Sequence, residues 1–516
     1  MRLLQKQLIG PFLGRRSFLK KFKDNLKKFG RNFMEAPDLN FIPKGLFIGG
    51  KWKKSSNGAT FETINPSNLK SLGEVPEATD LDVNEAVQSA NSAFIEWSKT
   101  SITERAKCLE NLAKRIDDNA EELALMDAID SGNALNGMRG DMVWTSATLR
   151  YFAGLMTEIK GETSSHGPRH LNYTRRQPYG VVAKINAFNH PFRFCVEKAA
   201  APLAAGNCLV IKGSEQAPLS GLKFGELCEG IFPDGVINIV TGGAKTGQVL
   251  VSHPDVSRIG FVGSVPTGRA VAMAGAATLK VVSLELGGKN PIVIFPDANP
   301  VEAARAAIKG MNMNRQGQSC SSTSRVFVHK SLHSAVKKEL IEQAEALPIG
   351  MPWVESNDVG PIVSEKQYKR ILDFIESANR EGAVCLTGGG PPNNDLLRKG
   401  LFIAPTIFDH VKPEMRIGCE EIFGPVMSIM PWSDEKEMLD AVNALDYALT
   451  AALVTNDLAT AMEYAEKIHA GYVWVNSTGR YLGAPYGGWK QSGLGQEECL
   501  EELLSYTRIK NINMRW

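Results

Sequence analysis

Val181-Val182-Ala183-Lys184-Ile185, Cys208-Leu209-Val210-Ile211, Val236-Ile237-Asn238-Ile239-Val240, Ile259-Gly260-Phe261-Val262 and Val281-Val282-Ser283-Leu284 are five short runs, almost wholly apolar. Between them lie segments of helical periodicity at 192–205, 217–231, 246–251 and 266–277. A strand without polar alternation is buried on both faces, and strands that alternate with helices build a parallel sheet with helices on either side. Such sheets take ligands beyond the carboxyl ends of their strands. A second alternation begins at Ile292–Phe295 and continues through Arg325–His329, Val384–Leu386, Val426–Met430, Ala451–Val454 and Tyr472–Val475, with helices over 331–346 and 365–380 among them. The fold class expected is α/β: a Rossmann-like nucleotide domain followed by a second α/β domain.

Outside these runs the organisation is simpler. Thr79 with Asp82 predicts a capping box and a helix that buries Val83, Ala86, Val87, Ala90, Phe94 and Trp97. Helices follow from Thr103 and up to Ser131-Gly132. Residues 161–179 are polar and suit a projecting ribbon, and Ser505–Ile512 suits a strand. The expected division is a basic extension over 1–40, a nucleotide-binding domain over 41–160 and 180–286, a catalytic domain over 287–484, and an oligomerisation element made of 161–179 and 498–516.

The 516 residues, 43% apolar and 22% charged with a net charge of +2, describe an ordinary globular chain and argue against a polyanionic partner such as nucleic acid. Eight scattered cysteines without a CxxC suit a reducing compartment. The cytoplasm is expected, with the mitochondrial matrix as alternative. No apolar run is long enough to span a membrane. Residues 1–34 hold ten Lys/Arg and one acid, Asp24. Phe18, Leu19, Phe22, Leu26 and Phe29 would line one face of a basic helix suited to a membrane surface or to targeting, and a solvated extension is the alternative reading.

Chemistry-bearing residues gather at the ends of the strands. Glu285 closes one apolar run, and Cys320 stands in a Gly317-Gln318-Ser319-Cys320-Ser321 loop. A thiol nucleophile and a carboxylate that takes a proton from water are two parts of one mechanism. Phe261-Val262-Gly263-Ser264 runs from a strand into a helix start, where free amides and a hydroxyl suit a phosphate. Gly242-Gly243 lacks the order of a phosphate loop and reads as a turn. Lys212 and Glu215 follow another strand; an acid there accepts both hydroxyls of a ribose and repels a 2′-phosphate, which favours NAD over NADP. The Asn189 amide suits a developing oxyanion. His329 and His333 have no third partner in sight, so no metal site is expected.

Taken together, Glu285-Leu286-Gly287-Gly288-Lys289, Gly317-Gln318-Ser319-Cys320, Phe261-x-Gly263-Ser264-x-x-x-Gly268, Lys212-x-Ser214-Glu215, Glu420-Glu421-Ile422-Phe423-Gly424-Pro425 and Tyr472-Val473-Trp474-Val475-Asn476 resemble the aldehyde dehydrogenase superfamily, from about Phe47 to Asn511. The resemblance implies Cys320 as nucleophile, Glu285 as general base, Asn189 with the Cys320 amide as oxyanion hole, and Lys198 as an aid to proton relay. It places the cofactor against Lys212, Glu215, Gly263, Ser264, Gly268, Leu286, Glu421 and Phe423. It implies a homodimer or homotetramer. A glutamate at 285 favours hydrolysis of the thioester; a coenzyme A-acylating enzyme and a non-catalytic cofactor-binding protein are the alternatives.

The sequence departs from the family at Gly213, in a Cys loop one residue longer than usual, and over His190–Glu197. By the resemblance His190, Arg193, Glu197, Ser319, Ser321 and Arg480 border the substrate. They suggest a polar or carboxylate-bearing aldehyde anchored by Arg193 or Arg480. The alternative is that Arg193 pairs with Glu197, one helical turn on.

Overall fold

The computed structural model describes residues 35–39, 41 and 43–516, so the basic-helix reading of the N-terminus falls outside it. Two sheets organise the compact unit formed by residues 39–516. The first has eight strands in the order Lys51–Lys53, Leu46–Ile48, Ile237–Val240, Cys208–Lys212, Val181–Ile185, Val256–Val262, Val281–Glu285 and Gly493–Leu494. Its five middle strands are parallel, and they are the five apolar runs. Its outer strands are antiparallel additions. Residues 493–494, beyond both expected domains, pair with Leu284 and Glu285 and bring the C-terminal segment to that strand end.

The second sheet runs Val384–Thr387, Thr406–Asp409, Val426–Trp432, Arg325–His329, Pro291–Ile294, Thr450–Val454 and Tyr472–Val475. Every pairing in it is parallel except that of Val384–Thr387. Thr406–Asp409 is a strand that the sequence reading did not anticipate.

The capping box forms as expected: Thr79 Oγ1 accepts from Asp82 N, and Asp82 returns a bond to Thr79 N, ahead of helix Asp80–Trp97. The next helix, Ile102–Asp118, starts one residue before the expected Thr103, with a second box from Ser101 and Glu104. Gly242 and Gly243 turn the chain into helix Ala244–Ser252. His329 and His333 serve elsewhere, bonded to Ser331 and Asp409. The ribbon is a three-stranded sheet: His170–Pro178 pairs on one side with Thr163–Ser165 and along its whole length with Thr507–Arg515.

Two buried acids set the helices that carry the site. Asp127 Oδ2 accepts from Phe192 N at the start of helix Pro191–Ala204, and Asp130 Oδ2 accepts from Leu219 N at the start of helix Leu219–Cys228. Burial pushes their carboxyls up to about 8 and about 7, so Asp127 is protonated at neutral pH.

Candidate active site

The carboxyl ends of the parallel strands converge on one side of the first sheet. Asn189 follows Val181–Ile185, Lys212 ends its own strand, Gly263 and Ser264 follow Val256–Val262, and Glu285 ends Val281–Glu285. Cys320 comes from the side of the second sheet, on the loop before strand Arg325–His329. Asn290, which follows the Glu285–Lys289 stretch, fastens the Cys320 loop to strand Thr450–Val454. Its Nδ2 donates to Cys320 O (2.7 Å) and Ser322 O (3.0 Å), and its Oδ1 accepts from Thr450 N. The loop is wound tightly: Asn312, Gln316 and Gly317 all have positive φ. At Gly317 (φ +66°) a Cβ would lie 2.3 Å from Gly424 O, so only glycine permits that approach.

A cavity of about 190 Å³ opens onto Cys320 and Glu285 together. Burial pushes the Glu285 carboxyl up to about 8, with the Glu497 charge adding and Lys198 and Arg480 opposing. Its Oε1 has no hydrogen-bond partner among the described residues. Burial and the nearby Glu285 raise the Cys320 thiol well above its ordinary value. Tyr486 Oη lies 3.8 Å from Cys320 Sγ. Asn189 is buried, and its backbone carbonyl accepts from Asn133 Nδ2 at 3.1 Å.

Beside Cys320 lies a buried ionic cluster. Lys198 Nζ donates to Glu197 Oε1 (2.8 Å) and Glu497 Oε2 (2.5 Å). Burial works against that ammonium, but Glu197 and Glu497 outweigh it and hold its pKa well above the lysine range. Arg193 Nε donates to Glu197 Oε2 at 2.5 Å, so the i,i+4 pair expected as the alternative is present. Arg193 Nη2 also reaches Glu498 Oε1 at 3.4 Å, and Arg480 Nη2 donates to the same oxygen. Arg315 Nη2 donates to Asp141 Oδ1 at 2.7 Å. Four cations (Lys198, Arg193, Arg315 and Arg480) therefore face four carboxylates (Asp141, Glu197, Glu497 and Glu498). Burial raises the Glu498 carboxyl, and the Arg480 and Arg193 guanidiniums on one oxygen oppose that rise.

Of the residues expected at the substrate, His190, Arg193, Ser319, Ser321 and Arg480 line the cavity. Glu197 does not; it stands behind Arg193 and Lys198. The sequence reading missed Asp141, Arg315, Tyr486, Glu497 and Glu498. One signal was visible: Asp141 falls on the same helical face as Met138, Met142, Thr145 and Leu149, where an acid needs a buried partner.

The residues expected at the cofactor lie on the strand ends and on the segment around Glu421. Lys212 Nζ bonds Gly213 O (3.1 Å) and Glu215 Oε2 (3.3 Å), and the Glu215 side chain is about half exposed. Ser264 is the N-cap of helix Val265–Ala276, yet its hydroxyl caps no backbone amide. Leu286 packs over Gly268, where a Cβ would lie 2.6 Å from its side chain. Glu421 Oε1 accepts from Gly288 N at 2.9 Å, and a Cβ on Gly287 would stand 2.2 Å from Glu421 Oε2. Its carboxyl, in a poorly solvated setting, is raised to about 7. Phe423 meets Phe188 edge to face, ring centroids 5.7 Å apart. A carboxylate with an ammonium, an uncapped helix start and a second carboxylate suit a ribose, a pyrophosphate and a second ribose in turn.

The model of the Aldehyde dehydrogenase family matches residues 52–512. The chain belongs to that family. This aldehyde dehydrogenase is 42% identical to aldehyde dehydrogenase tropH of Talaromyces stipitatus over 493 residues, covering 94% of this chain and 95% of that one. It is 38% identical to a betaine aldehyde dehydrogenase of Vibrio vulnificus over 469 residues, covering 90% and 96%. Among solved structures it resembles the NAD+ complex of an aldehyde dehydrogenase from Bacillus cereus: TM-score 0.89, 38% identity, 93% of this chain and 97% of that one. It is an NAD(P)-dependent enzyme that oxidises aldehydes. Among the described residues no helix is long and apolar enough to cross a membrane.

Proposed function

We propose that this enzyme oxidises a compact, polar, uncharged aldehyde to its carboxylic acid with NAD, releasing the product by hydrolysis. The observation that carries this reading is the meeting of Cys320 and Glu285 in one cavity whose four lining cations are each ion-paired with a carboxylate outside the wall. Cys320 Sγ gives its proton to Glu285, in the same cavity, and adds to the aldehyde carbon, whose carbonyl oxygen becomes the oxyanion. Asn189 Nδ2 and the Cys320 amide steady the oxyanion. A nicotinamide held near Glu421 and Phe423 would supply the hydride acceptor, and loss of hydride from the Cys320 adduct leaves a thioester on Cys320. Glu285, its pKa raised to about 8 by burial, takes a proton from water, which cleaves the thioester. Lys198 and Glu497 adjoin Glu285 electrostatically and suit the onward passage of that proton.

The substrate expectation narrows. Arg193 and Arg480 are already paired with carboxylates, so a substrate carboxylate would have to compete for them. A cationic aldehyde would meet only Glu285 among the carboxylates that line the cavity, and burial disfavours that group's charge. NAD is favoured over NADP because a carboxylate such as Glu215 after that strand would repel a 2′-phosphate. The ribbon sheet, with Ile509 exposed on Thr507–Arg515, suits a homo-oligomer.

The test is NADH formation from neutral, anionic and cationic aldehydes, with and without coenzyme A. Coenzyme A-independent turnover of neutral polar aldehydes, abolished in Cys320→Ala, is the expected result. Strict dependence on coenzyme A, or none of the aldehydes oxidised, refutes the reading.

A further inference from the structure

His190 lines the cavity from the N-cap of helix Pro191–Ala204. Its Nδ1 lies 2.7 Å from Asp141 Oδ2 and 3.3 Å from Arg315 Nε. One nitrogen cannot serve both: Arg315 asks for a lone pair, Asp141 for a proton. Asp141 is buried, and burial alone would raise its carboxyl. Arg315, His190 and Arg193 hold it far below the usual range instead, so it has no proton to give. The shorter contact therefore decides, and Nδ1 carries the proton. Burial, aided by the Arg315 and Arg193 charges, lowers the imidazole pKa to about 4 against the pull of Asp141, so the ring is neutral. A neutral ring protonated on Nδ1 has a bare lone pair on Nε2. That nitrogen has no partner among the described residues, and the side chain is 13% exposed, on the cavity side.

Hydrogen-bond donors stand nearby. Arg480 commits Nη2 to Glu498, which leaves Nε and Nη1 to offer. An acceptor beside donors fits a group that both gives and takes a hydrogen bond. A carboxylate only accepts and would face the bare lone pair. A quaternary ammonium donates nothing. A hydroxyl does both.

We propose that His190, held by Asp141, accepts a hydrogen bond from a hydroxyl of the substrate, so that this enzyme selects hydroxyaldehydes over their deoxy counterparts. The proposal rests on the dehydrogenase reading above and names its substrate class.

The experiment measures kcat/KM by NADH formation for three matched pairs: glycolaldehyde with acetaldehyde, lactaldehyde with propanal, and 3-hydroxybenzaldehyde with benzaldehyde. The wild-type enzyme is expected to favour the hydroxyl member of at least one pair by about tenfold or more. In His190→Leu that ratio falls toward unity, and in His190→Gln, whose side-chain oxygen can still accept, part of it returns. A ratio of unity in every wild-type pair overturns the proposal whether or not the variants fold, and leaves the dehydrogenase reading intact. So does a ratio that persists in His190→Leu. No NADH from any aldehyde refutes the dehydrogenase reading, and this proposal with it.

Discussion

Glu498→Gln tests the charge balance of the pocket. Glu498 Oε1 receives both Arg480 and Arg193, and its side chain is 1% exposed. Glutamine keeps the volume and an acceptor oxygen but removes the charge, leaving four cations on three carboxylates. A unit charge acting over about 4 Å at an effective dielectric of about 20 is worth roughly 4 kcal/mol. Arg480 lines the cavity, and with half of that energy screened, about 2 kcal/mol remains for an anionic substrate. That corresponds to roughly a thirtyfold change in relative kcat/KM. The assay compares succinic semialdehyde with butanal in wild type and variant. The ratio is expected to move toward the semialdehyde by that factor. Breaking the buried pair is expected to lower stability by about 3–5 kcal/mol, read by thermal melting. A folded variant that still oxidises butanal with an unchanged ratio would refute the argument that charge balance sets the discrimination.

Three further predictions follow from the geometry. Glu285→Gln is expected to lower steady-state turnover by about 10²–10⁴ while keeping one burst of NADH per site; in wild type, hydrolysis rises as pH climbs through about 8, where Glu285 loses its proton, and rapid-mixing kinetics across pH checks both. Gly287→Ala puts a methyl 2.2 Å from Glu421 Oε2 and is expected to weaken NAD binding by about tenfold, measured by fluorescence titration. Asp127 titrates near 8 when folded and near 4 when unfolded, so the folded state holds more protons between those values and stability falls as pH rises through that window. Asp127→Asn removes this dependence, and its Tm relative to wild type is expected to increase between pH 6 and pH 9.

The central strands were legible in the sequence because each is a short apolar run buried on both faces, as in Val181–Ile185. Gly493–Leu494 was not: two residues carry no periodicity, and only their pairing with Leu284 and Glu285 makes them a strand. Cys320 and Glu285 stand out in the sequence because their chemistry is local to a loop and a strand end, and the structure brings both to one cavity. Glu497 and Glu498 do not, because their partners Lys198 and Arg193 lie about 300 residues away in the chain, and no local pattern encodes that meeting. Arg193 and Arg480 looked available as anchors because one-dimensional spacing shows a charge but not what neutralises it.

The close approach of Gly317 to the Gly424 carbonyl gears the two halves of the reaction. The backbone that carries the nucleophile rests directly on the segment that presents Glu421 and Phe423. A displacement on either side of that seam reaches the other, so the Cys320 loop and the Glu421–Phe423 segment are set as one unit. Drift in sequence around Gly424 would therefore be felt as altered chemistry at Cys320, even where no residue touching the substrate has changed.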